Sequence, residues 1–385
     1  MRAIVIVLFL AGIAPAASAQ SSVFGSRGLG LPSRSVSAHG WGLSGAGALF
    51  DPESNQNPAA LARLLTVTAT FQIVPEWRTV ETPAGKESTR LTQFPLFSVG
   101  GPLKSTFLGL GVSMGSYTSR DFQLVSTHSE DIRGVPVEVI DTLTSRGGMN
   151  DIRVAASYLL GPRVDVGAAF HIITGVNRLD QARVFSDTSF LPSRQSSEIS
   201  YNGVGFSLGA IFRPSSRLSL AATVRSDGKA TVDRDSSRAF SVDLPFTFGA
   251  GLQFHPSAKL MTSAQATYKT WSGANSDLLE QGGAGAKNTV ELAGGIEFTS
   301  DPRRPWRRPI RFGARYTQLP FLLTTGGDQP TEYSVSIGTG ARFAAQRGGV
   351  DLALEHNWRK LGSAYSESGW LLVFGVSLRP ALQQP

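Results

Sequence analysis

A transmembrane antiparallel β-barrel of about fourteen strands, with a small N-terminal plug or hatch, is the fold the sequence predicts. Three observations predict it. Apolar and polar residues alternate along most of the chain between Leu65 and Pro380. The connections between alternating segments are short and long in turn. An export signal opens the chain, and no later run reaches the ~18 apolar residues of a membrane helix.

Composition agrees and excludes other classes. Of 385 residues, 41% are hydrophobic and 17% charged, 42 are Gly and none is Cys. Disordered chains need low hydrophobicity with high charge, and long-helix proteins need Ala, Glu, Lys and Leu in excess. Without Cys there is no disulfide framework, thiolate metal site or cysteine nucleophile. A net charge of +7, spread along the chain, carries no signal for nucleic acid.

Residues 1–19 read as a signal peptide. Arg2 is its basic start, Ile4 to Ile13 its apolar run, and Ala17-Ser18-Ala19 its cleavage site. Residues 20–64 read as the hatch, because they are rich in Gly, Ser and Ala and lack alternation. Within them Pro58 to Arg63 suits a short helix with Pro in its first turn. Trp41, Asn57 and Pro58 are its candidate gate residues.

Residues 65–385 read as the barrel. The strands are expected near 65–78, 90–101, 105–118, 150–160, 163–177, 198–213, 217–229, 241–255, 258–271, 288–299, 308–319, 332–344, 349–360 and 369–379. Phe246, Phe248, Ala250, Leu252 and Phe254 share one face, and Thr247, Gly249, Gly251, Gln253 and His255 the other. Period two places alternate residues on opposite faces of a strand. Each segment is long enough for the ~9–11 residues of a tilted spanning strand. Short turns such as Gly161-Pro162 and His255-Pro256-Ser257 alternate with long stretches at 119–149, 178–197, 230–240 and 272–287. That asymmetry belongs to outer-membrane barrels. Tyr117, Tyr158, Tyr201, Tyr268, Trp271, Tyr316, Tyr333, Trp358 and Trp370, near strand ends, suit interfacial girdles.

Strand parity turns Arg153, Asp165, His171, Arg225, Gln253, Lys269, Glu291, Glu297, Arg311, Arg315, Arg342, Asp351, Glu355 and Arg359 into the lumen. Paired, such charges rigidify a barrel; unpaired, an Arg holds a carboxylate. Arg153, Arg225, Arg315 and Arg342 are therefore candidate ligand contacts. Phe122, Leu124, Val125, Phe185, Phe190 and Leu191, in the two longest connections, are candidates for an apolar capture groove. Self-packing of long loops is the bland alternative for those six.

Other motifs lack their context. Gly40-x-Gly42-x-x-Gly45 has no strand before it and no long helix after it, so it reads as tight backbone rather than a nucleotide site. Gly111-Val112-Ser113-Met114-Gly115 and Gly205-Phe206-Ser207-Leu208-Gly209 match the hydrolase pattern but sit inside strands, not at an elbow. The five His residues show no metal-ligand spacing. No cofactor, metal or catalytic residue is expected.

Three stretches resemble the FadL/TodX family of outer-membrane channels for long-chain fatty acids and hydrocarbons. They are the leader ending Asn57-Pro58-Ala59, the stretch from Leu244-Pro245-Phe246 to Trp271-Ser272, and the run from Arg311 to Gly340. The strand count matches that family too. The resemblance implies passive uptake of a small hydrophobic compound, through a pocket beside the hatch and out by hatch movement or a gap in the wall. It implies membrane lipid, an apolar ligand and the outer-membrane insertion machinery as partners, with no nucleic acid. PorV-type barrels share the Asn-Pro-Ala leader, which leaves a secretion-partner or surface-attachment role as the alternative. An outer-membrane acyl hydrolase is the third reading, and it requires a Ser–His pair within hydrogen-bond reach.

Overall fold

A computed structural model describes residues 22–380, apart from 83–84, 104–106, 133, 188, 236, 305–306, 345 and 364. The expected signal peptide, 1–19, lies outside the described residues.

Among the described residues nineteen strand segments form one sheet, all paired antiparallel. One of them is the two-residue piece Leu31–Pro32, and four wall strands are each broken in two, which leaves a closed barrel of fourteen strands. Strand 1 is Thr68–Thr82. Strand 2 comprises Gly85–Gln93 and Leu96–Pro102, and strand 3 Leu108–Ser119 and Phe122–Ile132. Strands 4, 5 and 6 are Val135–Leu160, Val164–Phe185 and Ser193–Phe212. Strand 7 comprises Leu218–Ser226 and Lys229–Arg234, and strand 8 Ser237–Asp243 and Phe246–Ser257. Strands 9 to 11 are Leu260–Lys269, Thr289–Phe298 and Arg307–Gln318. Strands 12 to 14 are Thr331–Phe343, Gly348–Leu361 and Tyr365–Leu378. Strand 14 closes on strand 1, with Trp370 opposite Trp77 and Leu378 opposite Ala69.

The outward face is the apolar one. Tyr333, Val335 and Ile337 on strand 12 continue into Leu352, Leu354 and Trp358 on strand 13 and Trp370, Leu372 and Phe374 on strand 14, all exposed. An apolar belt this continuous faces lipid, not water. Closure pairs the backbone groups that hydrocarbon cannot solvate. Trp77, Tyr268, Tyr316, Tyr333, Trp358 and Trp370 mark the rim on the long-loop side. There the Tyr316 and Tyr333 rings lie 5.1 Å apart, and His356 sits 4.2 Å from both Trp358 and Trp370. No helix among the described residues is long and apolar enough to cross a membrane.

Two expectations are corrected. Tyr117, Tyr201 and Trp271 are not girdle residues. The Tyr117 hydroxyl donates to Asp227 at 2.9 Å, and Tyr201 and Trp271 are buried in a cluster with Ile173, Leu278 and Phe321. Tyr117 shares parity with lumenal Ser113, and Tyr201 with lumenal Ser207, so the barrel interior claims both. The stretches 119–149, 178–197 and 230–240 are mostly strand, not loop. Strand 4 alone runs 26 residues, paired to strand 5 from Leu160↔Val164 up to Val139↔Phe185. Beyond the bilayer neither face meets lipid, so both faces carry polar residues and the alternation that marks a strand fades. Only 272–287 of the four holds helical turns, Trp271–Ala274 and Asn275–Glu280.

Residues 22–64 pack inside the barrel. Ala38–Trp41 is a single helical turn whose Ser37 side chain accepts from Gly40 N. Pro58–Arg63 is a 3-10 helix with Pro in its first turn, and the Asn57 side chain accepts from Ala59 N at 3.0 Å. The wall makes room with glycine. A Cβ on Gly313 would meet Leu43 backbone at 2.2 Å, and one on Gly167 would meet Pro58 and Ala59 backbone at 2.5 Å. Much of the high Gly content thus lets lumenal strands approach this segment. Gly42 lies against Gly338 and Gly45 has φ +94, so the fingerprint-like glycines serve tight backbone.

Candidate functional site

The site begins at a break in the wall. Strands 2 and 3 pair from Pro102↔Gly109 up to Leu96↔Gly115, and their last backbone bond runs from Ser116 N to Pro95 O at 3.0 Å. Above that level Gly85–Gln93 pairs with strand 1, and Phe122–Ile132 with strand 4. Pro95 sits at the break and has no N–H to donate to a ladder. Leu31–Pro32 enters there instead, with Leu31 opposite Ser119 and Pro32 opposite Thr118. Ser33 N donates to Tyr117 O at 2.9 Å. The break starts beside Val74↔Gln93, three residues below Trp77↔Arg90, so its lower end lies within the apolar belt.

A cavity of about 210 Å³ lies behind it. Thr89, Leu91, Gln93 and Pro95 line it from strand 2, Ser116, Tyr117 and Ser119 from strand 3, and Leu31 to Ser35 from the N-terminal segment. Trp41, Leu49, Trp271, Leu319 and Leu371 add apolar surface. Charge is dense, and most of it is paired. Arg34 bonds Glu355; Arg315 bonds Glu332 and, at 3.2 Å, Glu291; Arg359 bonds Glu332 and, at 3.1 Å, Glu367. Arg78 bonds Glu76 and, at 3.1 Å, Glu367. Arg225 bonds Asp151 and Asp227, each at 2.6 Å. Lys269 also lines the cavity, and among the described residues it has no carboxylate within 4.0 Å.

The same segment is tied to the wall at several heights. Ser22 Oγ and Val23 N donate to Glu367 at 2.9 and 2.8 Å. Asn55 accepts from Ser113 Oγ at 2.8 Å, and Arg63 Nε donates to Asp165 at 2.9 Å. Trp41 carries the Arg34 guanidinium 3.7 Å over its ring.

Toward the short-turn side a second cavity of about 350 Å³ lies below the segment. His39 Nε2 is 3.0 Å from Glu297 and its Nδ1 3.7 Å from Asp51. Arg311 joins Glu297 at 2.6 Å to Asp351 at 2.7 Å, and Arg379 reaches Glu53 at 2.8 Å. Burial and Arg311 act to push the His39 pKa down, but the carboxylates of Asp51 and Glu297 outweigh them and raise it to about 9. Burial acts to raise Asp51, and the bonds from His39 and Ser37 outweigh it and hold it at about 2. The imidazolium therefore pins two carboxylates, one on the segment and one on strand 10.

The sequence-predicted ligand residues separate into groups. Arg225 and Arg315 line the outer cavity, as does Trp41. Arg342 lines the lower one, near Glu53 at 3.7 Å. Arg153 is buried on strand 4 beside a smaller cavity. Asn57 and Pro58 lie in the segment, against Gly209 and Gly167. Phe122 is buried, Leu124, Val125 and Leu191 are exposed, and Phe185 packs on Phe190 at 5.5 Å between centroids. None of those six lines either cavity. The wall break and Arg34 escaped the sequence reading. Pro95 was the visible signal for the first.

Fold and site together define a closed fourteen-stranded outer-membrane β-barrel, with an outward cavity and an N-terminal segment beneath it. The chain belongs to the BamG family, whose model matches residues 1–242. It is similar in structure to a Pseudomonas aeruginosa FadL homologue, at 14% identity and a TM-score of 0.62 over 91% of this chain and 99% of that one. It is also similar to the toluene transporter TodX of P. putida, at 13% identity and a TM-score of 0.57 over 91% and 99% of the two chains. No curated protein matches it in sequence.

Proposed function

We propose that this barrel is a channel for passive uptake of long-chain fatty acids or other small hydrophobic compounds. The observation that carries the reading is the coincidence of the cavity with the wall break. A solute in the cavity has a sideways route into the apolar belt past Leu91, Pro95 and Leu31, which spares it passage through the N-terminal segment packed across the lumen. The mixed lining suits an amphipathic solute, with its polar end among the charges and its tail toward Trp271 and Leu319. Residues 20–64 act as the hatch, and Trp41, Asn57 and Pro58 hold it shut.

The test uses the absence of native Cys. Leu31→Cys with Ser119→Cys sits on a paired register position, within reach of a disulfide after small adjustment. Oxidation fixes the N-terminal strand in the break. Uptake of labelled fatty acid or alkane by cells carrying this variant should fall on oxidation and return with reductant. Uptake that ignores the cross-link rules out the lateral route.

A second reading is favoured by the ion-paired N-terminal segment packed across the lumen and by membership of the BamG family. In it the barrel is a closed partner of the outer-membrane insertion machinery, akin to the PorV-type role. It predicts co-purification with that machinery and no dependence of solute uptake on the chain.

A further inference from the structure

Asp151, His171 and Ser207 lie on adjacent strands 4, 5 and 6 and face the lumen, all buried. His171 Nδ1 is 2.8 Å from Asp151 Oδ1, and its Nε2 is 2.8 Å from Ser207 Oγ. A carboxylate only accepts, so Nδ1 carries the proton and donates to Asp151. Nε2 is then free to accept from the Ser207 hydroxyl. A nucleophile, a base and a group that orients the base stand in hydrogen-bond order.

Two guanidinium groups flank them. Arg153 is directly across from His171 in the strand pairing, and Arg225 is across from Ser207. Arg153 Nε and Nη1 and Arg225 Nη2 are buried without a hydrogen-bond partner among the described residues. Donors left unpaired inside a protein are costly, and what these lack is an anionic oxygen. A tetrahedral oxyanion on Ser207 would supply one.

We propose that Ser207, His171 and Asp151 form an acyl-ester hydrolase site, uncovered when residues 54–57 withdraw. At rest that stretch covers the site: Asn55 Nδ2 is 3.4 Å from Asp151, and Asn57 lies against Gly209. Asp151 and Arg225 already line the outer cavity, which brings the ester to the site. The proposal rests on the reading of that cavity as a ligand site and of the segment as its gate. Ser207 Oγ bonds to the ester carbonyl carbon and passes its proton to His171 Nε2. The carbon–oxygen bond to the alcohol breaks, and the alcohol leaves with that proton. Water then cleaves the acyl-serine through the same base, releasing the acid and restoring the hydroxyl. Arg225 shares Asp151 and weakens its support of the imidazolium, so both acylation and deacylation are slow.

The test treats the purified full-length barrel in detergent with an alkyl fluorophosphonate, which phosphonylates an activated serine with loss of fluoride. Peptide mass should place the label on Ser207. Asn55→Ala should label about 10-fold faster, and His171→Ala about 100-fold slower or more. Ser207→Ala should take no label at that peptide. No label on Ser207 in folded wild type and folded Asn55→Ala overturns the proposal, as does equal labelling in folded His171→Ala. Labelling that fails while uptake still responds to the Leu31–Ser119 cross-link removes the hydrolase alone. Labelling that persists while uptake ignores the cross-link removes the lateral channel alone.

Discussion

Asn57 Oδ1 occupies the place where a side chain on Gly209 would begin: a Cβ there would lie 1.9 Å from that oxygen. The same oxygen caps the Pro58–Arg63 turn through Ala59 N, and Asn57 Nδ2 donates to Leu49 O at 3.0 Å. One glycine on strand 6 thus sets how close the N-terminal segment comes to the wall.

Gly209→Ala should therefore loosen the segment without opening the barrel. Overpacking of this kind costs about 1–3 kcal/mol. Limited proteolysis should cut within residues 22–64 faster than in the wild type, while the heat-resistant barrel band survives. Asn57→Gly should add less in combination with Gly209→Ala than alone, because both changes act on one contact. Strict additivity would show that the two residues do not share it.

Most of this architecture is written in strand parity. Lumenal Arg311, Arg315, Glu355 and Arg359 and lipid-facing Phe246, Phe248 and Phe254 stand where alternation puts them. Parity is local, and lipid enforces it on every turn of the strand. The misreadings begin where lipid stops. Above the belt polar residues occupy both faces, so the strand extensions past Phe122 and Arg178 read as loop. Tyr117 and Tyr201 were judged by type and not by face. Ser207 and His171 are 36 residues apart in sequence, and only the register Ala169↔Ser207 brings them together.

Among the described residues Lys269 is the cavity cation without a bonded carboxylate, whereas Arg34, Arg78, Arg225, Arg315 and Arg359 each have at least one. An anionic head group in the proposed channel has this ammonium to meet. Lys269→Met should weaken binding of a fatty acid on the order of 10-fold, the loss of one charge-assisted contact. Binding of a neutral alkane should not change. Isothermal titration in detergent with both ligands checks it, and an equal loss for both would point to a packing role.

Ile337 is an exposed outward residue midway along strand 12, between Leu354 on strand 13 and Phe312 on strand 11. Arg at the bilayer midplane of a barrel costs about 2–4 kcal/mol. Ile337→Arg should lower the unfolding free energy in lipid by that amount, measured by reversible denaturation in vesicles. Ser336→Arg, one residue away, points into the lumen, where Ser44 bonds it at 2.8 Å. It should disturb the N-terminal segment and leave insertion unchanged. The opposite pattern would mean that the faces are exchanged.

The hold of the segment on strand 10 should depend on pH through His39. Its pKa in the folded barrel, about 9, lies above the ordinary 6.5. A raised value stabilises the folded state fully below pH 6.5, and that stability is lost as pH rises through 9. The difference corresponds to about 3 kcal/mol at most. The groups that face the ring are Asp51, Glu297 and Arg311, and deprotonation leaves the two carboxylates to repel each other across it. Asp51 does not counter the trend, since its own depressed pKa, about 2, lies far below this window. Proteolysis of residues 22–64 should accelerate between pH 7 and 9.5 in the wild type. In His39→Gln the rate should be high and flat across that range. A wild-type profile with no rise would mean that the imidazolium does not carry the latch.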